Sequence, residues 1–490
     1  MRGRLVPYVL GVGLLGLAFV MLGFSLYAFL LDEPLVGFLL TALLAGGVGG
    51  GLVWVGDGSL NAEPSRREAL LGVLLLWLFI PAFGGIPYIV TGGFNPLNAF
   101  FESMSGFTTT GATVLRDFGS FPDSLFMWRA LTQWFGGVGI IVLFIAVLPQ
   151  LAVAGRQLFF TEAPGPTEER LTPRLRNTSN AVLIVYVSLT VLCTLAYGVA
   201  GMSPYDAVAH AFTTLAAGGF SPNPLSYEDF ASPAIDWIAI VFMTFAGANF
   251  ALLFQVASGR PKLLLRDAEF KAYVSIAIIA ALSLALTLRE TYEGWDILRH
   301  AFFQSLSILT TTGYASVDFA QWSGAAQMVL LILMFVGGSA GSAGGGIKVV
   351  RWLIIVGNTT RELRRTLHPR AVLPVRVGSR IIPEEVLRAV AAFITLYITL
   401  FAFTTAVLVL FGADFVTAFS ASIACIGNVG PGLAAVGPMA NFADLHPVSR
   451  ALLIFGMYAG RLEVVTVFVF FDPKGWRLPR RWFGRANPLR

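Results

Sequence analysis

Four times along this chain, a short run of small residues and threonine ends on a glycine and follows a short apolar segment. The runs are Thr108-Thr109-Thr110-Gly111, Leu215-Ala216-Ala217-Gly218, Thr310-Thr311-Thr312-Gly313 and Ala424-Cys425-Ile426-Gly427. Their glycines recur at intervals of 107, 95 and 114 residues. Of the 490 residues, 56% are hydrophobic and only 12% charged, where a soluble domain is nearer a quarter charged. The mean hydropathy is +0.75. A chain this apolar belongs in a bilayer, where each helical span needs about 20 apolar residues. Four copies of one unit in such a chain predict a pore of fourfold pseudo-symmetry, because a repeat is read before any single motif.

Ten spans are expected, at 5–31, 34–56, 69–91, 126–150, 179–201, 234–257, 270–289, 324–356, 386–411 and 447–471. Arg2 and Arg4 ahead of the first apolar run resemble a signal peptide, but the run is too long for one and is read as a retained span. The first two spans form a pair with no glycine run between or after them. The other eight fall into four couples, each separated by about 30 to 40 residues that contain one run. These intervening stretches open with helix-start chemistry, as at Asn95-Pro96, Ser203-Pro204 and Asp414. About ten apolar residues follow, such as Leu97 to Phe101 and Ile297 to Phe303, too few to span and suited to a re-entrant half-helix. The expected fold is therefore an all-α polytopic membrane protein. It holds four pseudo-symmetric repeats of helix, pore half-helix, filter loop and helix around a central pore, plus an N-terminal helix pair. The divisions fall at 1–60 for the pair, then 61–156, 157–260, 261–372 and 373–490 for the four repeats, the last including a basic tail.

Charge sets the orientation. Basic residues crowd 151–178 (Arg156, Arg170, Arg174, Arg176), 258–271, 357–388 and the tail from Lys474 to Arg490, whereas 202–233 and 412–449 hold no Lys or Arg. The positive-inside rule then places both termini in the cytoplasm and all four glycine runs outside. The net charge of +5 sits in these loops and does not point to nucleic acid. Cys193 and Cys425 make no disulfide framework, and four scattered histidines make no metal-ligand set. The tail segment Gly475 to Gly484 mixes aromatics with bases and reads as an interfacial anchor in the lipid bilayer.

Irregular backbone at membrane depth survives only when buried in protein or lining a water-filled path. Four extended loops around one axis direct carbonyls inward and replace the hydration shell of an ion. Each half-helix points its partially negative C-terminal end at the loop that follows, which favours cations. Outer acids (Asp206, Glu228, Asp229, Asp414, Asp444) are expected to concentrate cations at the mouth.

The segments Ser103 to Thr113, Ala217 to Ser221, Thr310 to Tyr314 and Cys425 to Leu433 resemble the four pore loops of the Trk/Ktr/HKT potassium transporter superfamily. The N-terminal pair makes the chain similar to its TrkH branch. The resemblance implies potassium uptake across a bacterial inner membrane, with K+ as the transported ion and no organic cofactor. It implies a filter at Thr109, Thr110, Gly111, Ala217, Gly218, Thr311, Thr312, Gly313, Ile426, Gly427 and Asn428. K+ is then expected at Thr110, Gly111, Ala217, Gly218, Thr312, Gly313, Ile426 and Gly427. It also implies a homodimer with one pore per chain, and a cytosolic nucleotide-binding regulatory ring of the RCK type, TrkA-like. The second and fourth runs lack threonine before glycine, so a roughly fourfold site with weak K+ over Na+ discrimination is expected.

Two features fall outside the symmetry. The segment Gly337-Gly338-Ser339-Ala340-Gly341-Ser342-Ala343-Gly344-Gly345-Gly346 lies inside an expected span. Six glycines in ten residues make a helix costly, at about 1 kcal/mol each relative to alanine. It is expected to break into a loop, and it fits neither a P-loop nor a dinucleotide fingerprint. Close helix packing through Gly337, Gly341 and Gly345 is the alternative. Arg461, near the middle of the last span, is a costly charge and therefore a functional candidate. Together with the glycine segment and Lys348, it is the expected gate, by analogy with the family. A structural ion pair is the alternative, and Glu463 is expected to pair with Lys348 or Arg351. Three functions follow: a gated channel-like potassium pathway, a Na+- or H+-coupled symporter of the same fold, and a polytopic membrane enzyme. The last is disfavoured by the lack of an intramembrane Ser/His or paired-Asp set.

Overall fold

The computed structural model describes residues 5–56, 66–146 and 171–470. The basic stretch 151–170 and the tail 471–490 lie outside the described residues. Within them the chain is helical, apart from a small hairpin, Arg376–Val377 with Arg380–Ile381, and one bridge between Val336 and Ile347.

Six expected spans are helical segments long and apolar enough to cross a membrane: Leu5–Leu30, Val36–Gly56, Glu68–Val90, Asn180–Val199, Ala268–Thr287 and Glu384–Leu410. The span expected at 126–150 is the helix Asp123–Ala146, which runs to the edge of the described residues. The span expected at 324–356 is broken as anticipated, into Gly324–Met334 and Val349–Leu367.

Two spans expected to be continuous are also broken. Pro233–Ala246 and Phe250–Ala257 meet at 104°, and Pro447–Arg461 and Val464–Phe470 meet at 111°. The first break falls at Gly247-Ala248-Asn249, where the Asn249 side chain caps the second helix by accepting from Ala251 N at 2.9 Å. The second falls at Glu463, whose φ of +70° no helix accommodates.

The four half-helices are Pro96–Phe107, Pro204–Leu215, Trp295–Leu309 and Phe415–Ile426. Three start as the sequence predicts. Asn95 accepts from Asn98 N at 2.9 Å, Ser203 from Asp206 N at 3.0 Å and Asp414 from Thr417 N at 3.0 Å. The third begins at Gly294 without a side-chain cap. The half-helices are among the most buried elements: Phe101, Ala209, Phe303 and Ala421 are fully enclosed. Burying the C-terminal end of a short helix leaves up to four carbonyls to be satisfied, and this requirement shapes the loops that follow.

Candidate functional site

All four half-helices end the same way. Thr110 N, Gly218 N, Thr312 N and Val429 N each bond the carbonyl five residues back, at 2.8, 2.9, 2.9 and 2.7 Å. The residue before each, Thr109, Ala217, Thr311 or Asn428, has left-handed φ of +51°, +52°, +61° or +54°. This is the Schellman termination, in which a left-handed residue turns the chain out of the helix. Threonine is unfavourable in that region, so Thr109 and Thr311 hold a strained backbone that only surrounding structure maintains.

This shared turn fixes which residues are equivalent. Two residues beyond each left-handed position comes a second positive φ, at Gly111 (+83°), Gly219 (+78°), Gly313 (+81°) and Gly430 (+101°). A Cβ on Gly111 would land on the Gly218 carbonyl oxygen, and one on Gly219 on that of Thr312. One on Gly313 would land on that of Val429, and one on Gly430 on that of Thr110. Each loop therefore touches the next, closing a ring in chain order. Only glycine fits at these four positions, for want of both space and backbone freedom.

The ring corrects the register read from the sequence in two loops. Gly218 is equivalent to Thr110, and Gly219 occupies the symmetric glycine position. In the fourth loop Ile426 is the last helical residue, matching Phe107, and Gly427 matches Thr108. The symmetric pair there is Val429 and Gly430, three residues beyond the expected Ile426 and Gly427, and the pair in loop two lies one residue beyond Ala217 and Gly218. The first glycine after an apolar run is a poor marker, because the left-handed residue, not the first glycine, sets the register.

Side chains brace the loops from behind. Thr108 and Thr110 hydroxyls pair at 2.8 Å, as do Thr310 and Thr312. Asn428 donates to the Thr110 hydroxyl at 2.9 Å and to Met457 O at 3.0 Å. The Tyr314 hydroxyl, one residue past its ring glycine, donates to His210 O at 3.1 Å in the second half-helix. A buried ion pair that the sequence reading missed joins Glu102 and Arg129 at 2.7 Å. Glu102 also accepts from Thr113 Oγ1 at 2.9 Å and Val114 N at 2.9 Å, anchoring the outer end of the first loop. A lone glutamate in an apolar half-helix was the available signal.

The glycine-rich segment is a loop, not a packed helix, and lies directly against the half-helix ends. A Cβ at Gly344 would meet Thr310 O, and one at Gly345 would meet Gly427 O. Thr311 Oγ1 accepts from Gly345 N at 2.6 Å. Because the helix 233–246 stops at Ala246, its freed carbonyls are available to the loop. Ala246 O accepts from Ala343 N at 3.1 Å, and Gly247 O from Ser339 N at 2.8 Å. Glu269, also missed from sequence, accepts from Ala340 N at 2.7 Å and Val350 N at 3.1 Å, clasping both shoulders of the loop. Burying irregular backbone requires such partners.

Arg461 is 3% exposed. Its guanidinium donates to Ala343 O at 2.8 Å in the loop and to Gly136 O at 3.1 Å in the first repeat. Lys348 donates to Gly344 O and, at 3.4 Å, to Ser342 Oγ. Of the two partners expected for Glu463, the one found is Arg351, at 2.7 Å. Gly337, Gly338, Gly341 and Gly346 complete the loop, in which Gly337 N bonds Ile347 O at 3.0 Å.

On the other face of the ring, a cavity of about 180 Å³ is lined by Gly111, Gly219, Gly313 and Pro431, with Arg116 and Arg129 at its wall. Among the described residues no acid lines it, contrary to expectation. Four of the five outer acids make local contacts. Asp206 and Asp414 stand at half-helix starts, and Asp229 accepts from Leu225 N at 3.0 Å. Asp444 pairs with Arg116. The Thr417 hydrogen bonds hold the Asp414 carboxyl below the usual carboxylate range.

A family profile described as "TrkH: Cation transport protein" matches residues 88–477. The chain is 40% identical to the "Trk system potassium uptake protein TrkH" of Salmonella typhimurium, over 87% of this chain and 90% of that protein. It is 34% identical to the "Trk system potassium uptake protein TrkG" of Escherichia coli, over 91% and 93%. The crystal structure of the potassium transporter TrkH from Vibrio parahaemolyticus superposes with a TM-score of 0.89 at 36% identity, covering 97% of this chain and 100% of that one. The membrane-enzyme reading is set aside on these relationships. With a four-loop ring in a helical membrane fold and these relatives, the chain belongs to the TrkH family of cation transport proteins.

Proposed function

We propose that this protein conducts K+ into the cell through a gated, channel-like pore. The observation that carries the reading is the closed ring of Gly111, Gly219, Gly313 and Gly430, each lying against a carbonyl of the next loop. The carbonyls of Thr110, Gly218, Thr312 and Val429 are the ring's oxygen donors, and four half-helix C-termini add a negative field behind them. The loop 337–346, Lys348 and Arg461 form the gate. Lys348 and Arg461 each bond a carbonyl of the loop under the half-helix ends, and Arg461 brings positive charge to a cation path. K+ is cargo; no resident cofactor is invoked.

The protein acts as a homodimer with one pore per chain, under a cytosolic nucleotide-binding ring of the RCK type. It lies in the bacterial inner membrane with both termini cytoplasmic, a placement supported by the basic loops and tail. Purified protein in K+-loaded liposomes tests the conduction reading. It is expected to take up tracer Rb+ down the electrical gradient set by K+, without an imposed Na+ or proton gradient. Flux that requires either gradient would turn the reading to coupled symport, and no Rb+ flux would reject it.

A further inference from the structure

The second loop cannot brace itself as the others do. Loops one and three use hydroxyl pairs, and loop four uses Asn428, but loop two offers Ala216, Ala217 and Gly218. Gln133, fully buried in the helix Asp123–Ala146, takes over. Its Nε2 donates to Gly218 O at 2.6 Å, and its Oε1 accepts from Phe220 N at 3.0 Å. The amide thus straddles the ring glycine Gly219. Both amide atoms find their complementary partner, which sets the orientation of the side chain. A Cβ on Gly218 would land on the Gln133 amide. Gln133 therefore fills the space that the Thr110 and Thr312 side chains occupy in their own loops. One turn earlier on the same helix face, Arg129 donates to Ser221 O at 3.2 Å and stacks its guanidinium 3.9 Å from the Phe220 ring. One face of a helix in repeat one thus holds loop two from Gly218 to Ser221.

The consequence is chemical. Gly218 O belongs to the ring of donors, since it is the atom that a Cβ on Gly111 would strike. It already accepts a hydrogen bond from Gln133, so it shares electron density that the other ring carbonyls offer to the ion. The same hydrogen bond fixes the position of this carbonyl. We propose that Gln133 is a specificity-determining residue of the pore, setting the distance and donor strength of loop two. Resting on the filter reading above, this makes the ring a three-plus-one donor set in which discrimination between K+ and the smaller Na+ depends on a side chain outside the loops.

The test is a set of variants in liposomes, read as Rb+ flux and as the K+/Na+ permeability ratio from reversal potentials. Gln133→Met is nearly the same size and removes both hydrogen bonds. It is expected to lower the ratio by about fivefold, the order of the one hydrogen bond lost to the Gly218 carbonyl. Gly218→Thr alone is expected to lose flux, because its side chain collides with Gln133. The triple variant Gln133→Ala, Ala216→Thr, Gly218→Thr rebuilds the hydroxyl pair of loops one and three and is expected to recover flux with a ratio above that of Gln133→Ala. An unchanged ratio in Gln133→Met, or full flux in Gly218→Thr with Gln133 intact, overturns the inference while leaving the filter reading standing. A wild-type protein that carries no Rb+ overturns both.

Discussion

Gly430→Ala is expected to cut cation flux by far more than tenfold, whereas Gly427→Ala, three residues earlier, is expected to lose much less. Gly430 has φ of +101°, and a Cβ there would lie on the Thr110 carbonyl oxygen. Left-handed backbone alone costs a non-glycine residue roughly 1–2 kcal/mol, about a factor of ten in rate at about 1.4 kcal/mol per decade. Displacing a ring carbonyl adds to that. Gly427, with φ of −76°, is an ordinary helix C-cap. A Cβ there would meet Ile423 O in the preceding turn at 2.8 Å and Met334 O at 3.2 Å, which strains the helix end but strikes no ring carbonyl. Tracer Rb+ uptake by the two variants, matched for reconstituted protein, reads the difference directly. Equal losses in both would restore the register taken from the first glycine of each run.

The second large effect is expected at the gate. Arg461→Ala should raise unstimulated Rb+ flux at least tenfold. The guanidinium ties repeat four to both the intramembrane loop and repeat one, through Ala343 O and Gly136 O. Arg461 and its Gly136 tether lie against the half-helix ends: a Cβ at Gly136 would strike Phe107 O, and one at Gly460, next to Arg461, would strike Ile426 O. Two unit charges about 4 Å apart at an effective dielectric near 20 repel by about 4 kcal/mol, nearly three decades in rate. Removing the charge therefore lowers the barrier even if the loop moves little. Arg461→Gln separates charge from tethering, because glutamine still donates to a carbonyl but is neutral. A rise in both variants assigns the barrier to charge, and a rise in alanine alone assigns it to the tethers. Unchanged flux in both would count against a gate role.

Much of this arrangement was legible in the sequence, for identifiable reasons. The half-helices announced themselves through Asn95, Ser203 and Asp414 ahead of apolar segments too short to span, and those caps form. The glycine-rich break followed from helix propensity. The pairing of Glu463 with a base on the third repeat followed from the cost of a lone charge at depth.

The misses have a common cause: they depend on tertiary partners. The break after Ala246 carries only a Gly-Ala-Asn signal, and its role as acceptor for Ser339 and Ala343 exists only once the loop is docked. The filter register in loops two and four hinges on left-handed φ at Ala217 and Asn428. Nothing in alanine advertises that conformation, although asparagine hints at it. Glu102, Glu269 and Gln133 were visible as polar residues in apolar helices, but their partners lie 11 to 87 positions away. The outer acids differ in the opposite sense: Asp414 caps a half-helix and Asp444 pairs with Arg116, and none of the five lines the cavity next to the ring.

The central claim is that Gly111, Gly219, Gly313 and Gly430, with the carbonyls before them, surround the transported cation. The most direct measurement is anomalous diffraction from crystals grown in Rb+ or Tl+. The account predicts cation density on the axis of the four loops, level with the carbonyls of Thr110, Gly218, Thr312 and Val429, and loss of that density in Gly430→Ala. Density centred instead on Ile426 and Gly427, or an empty ring in a protein that transports Rb+, would contradict it.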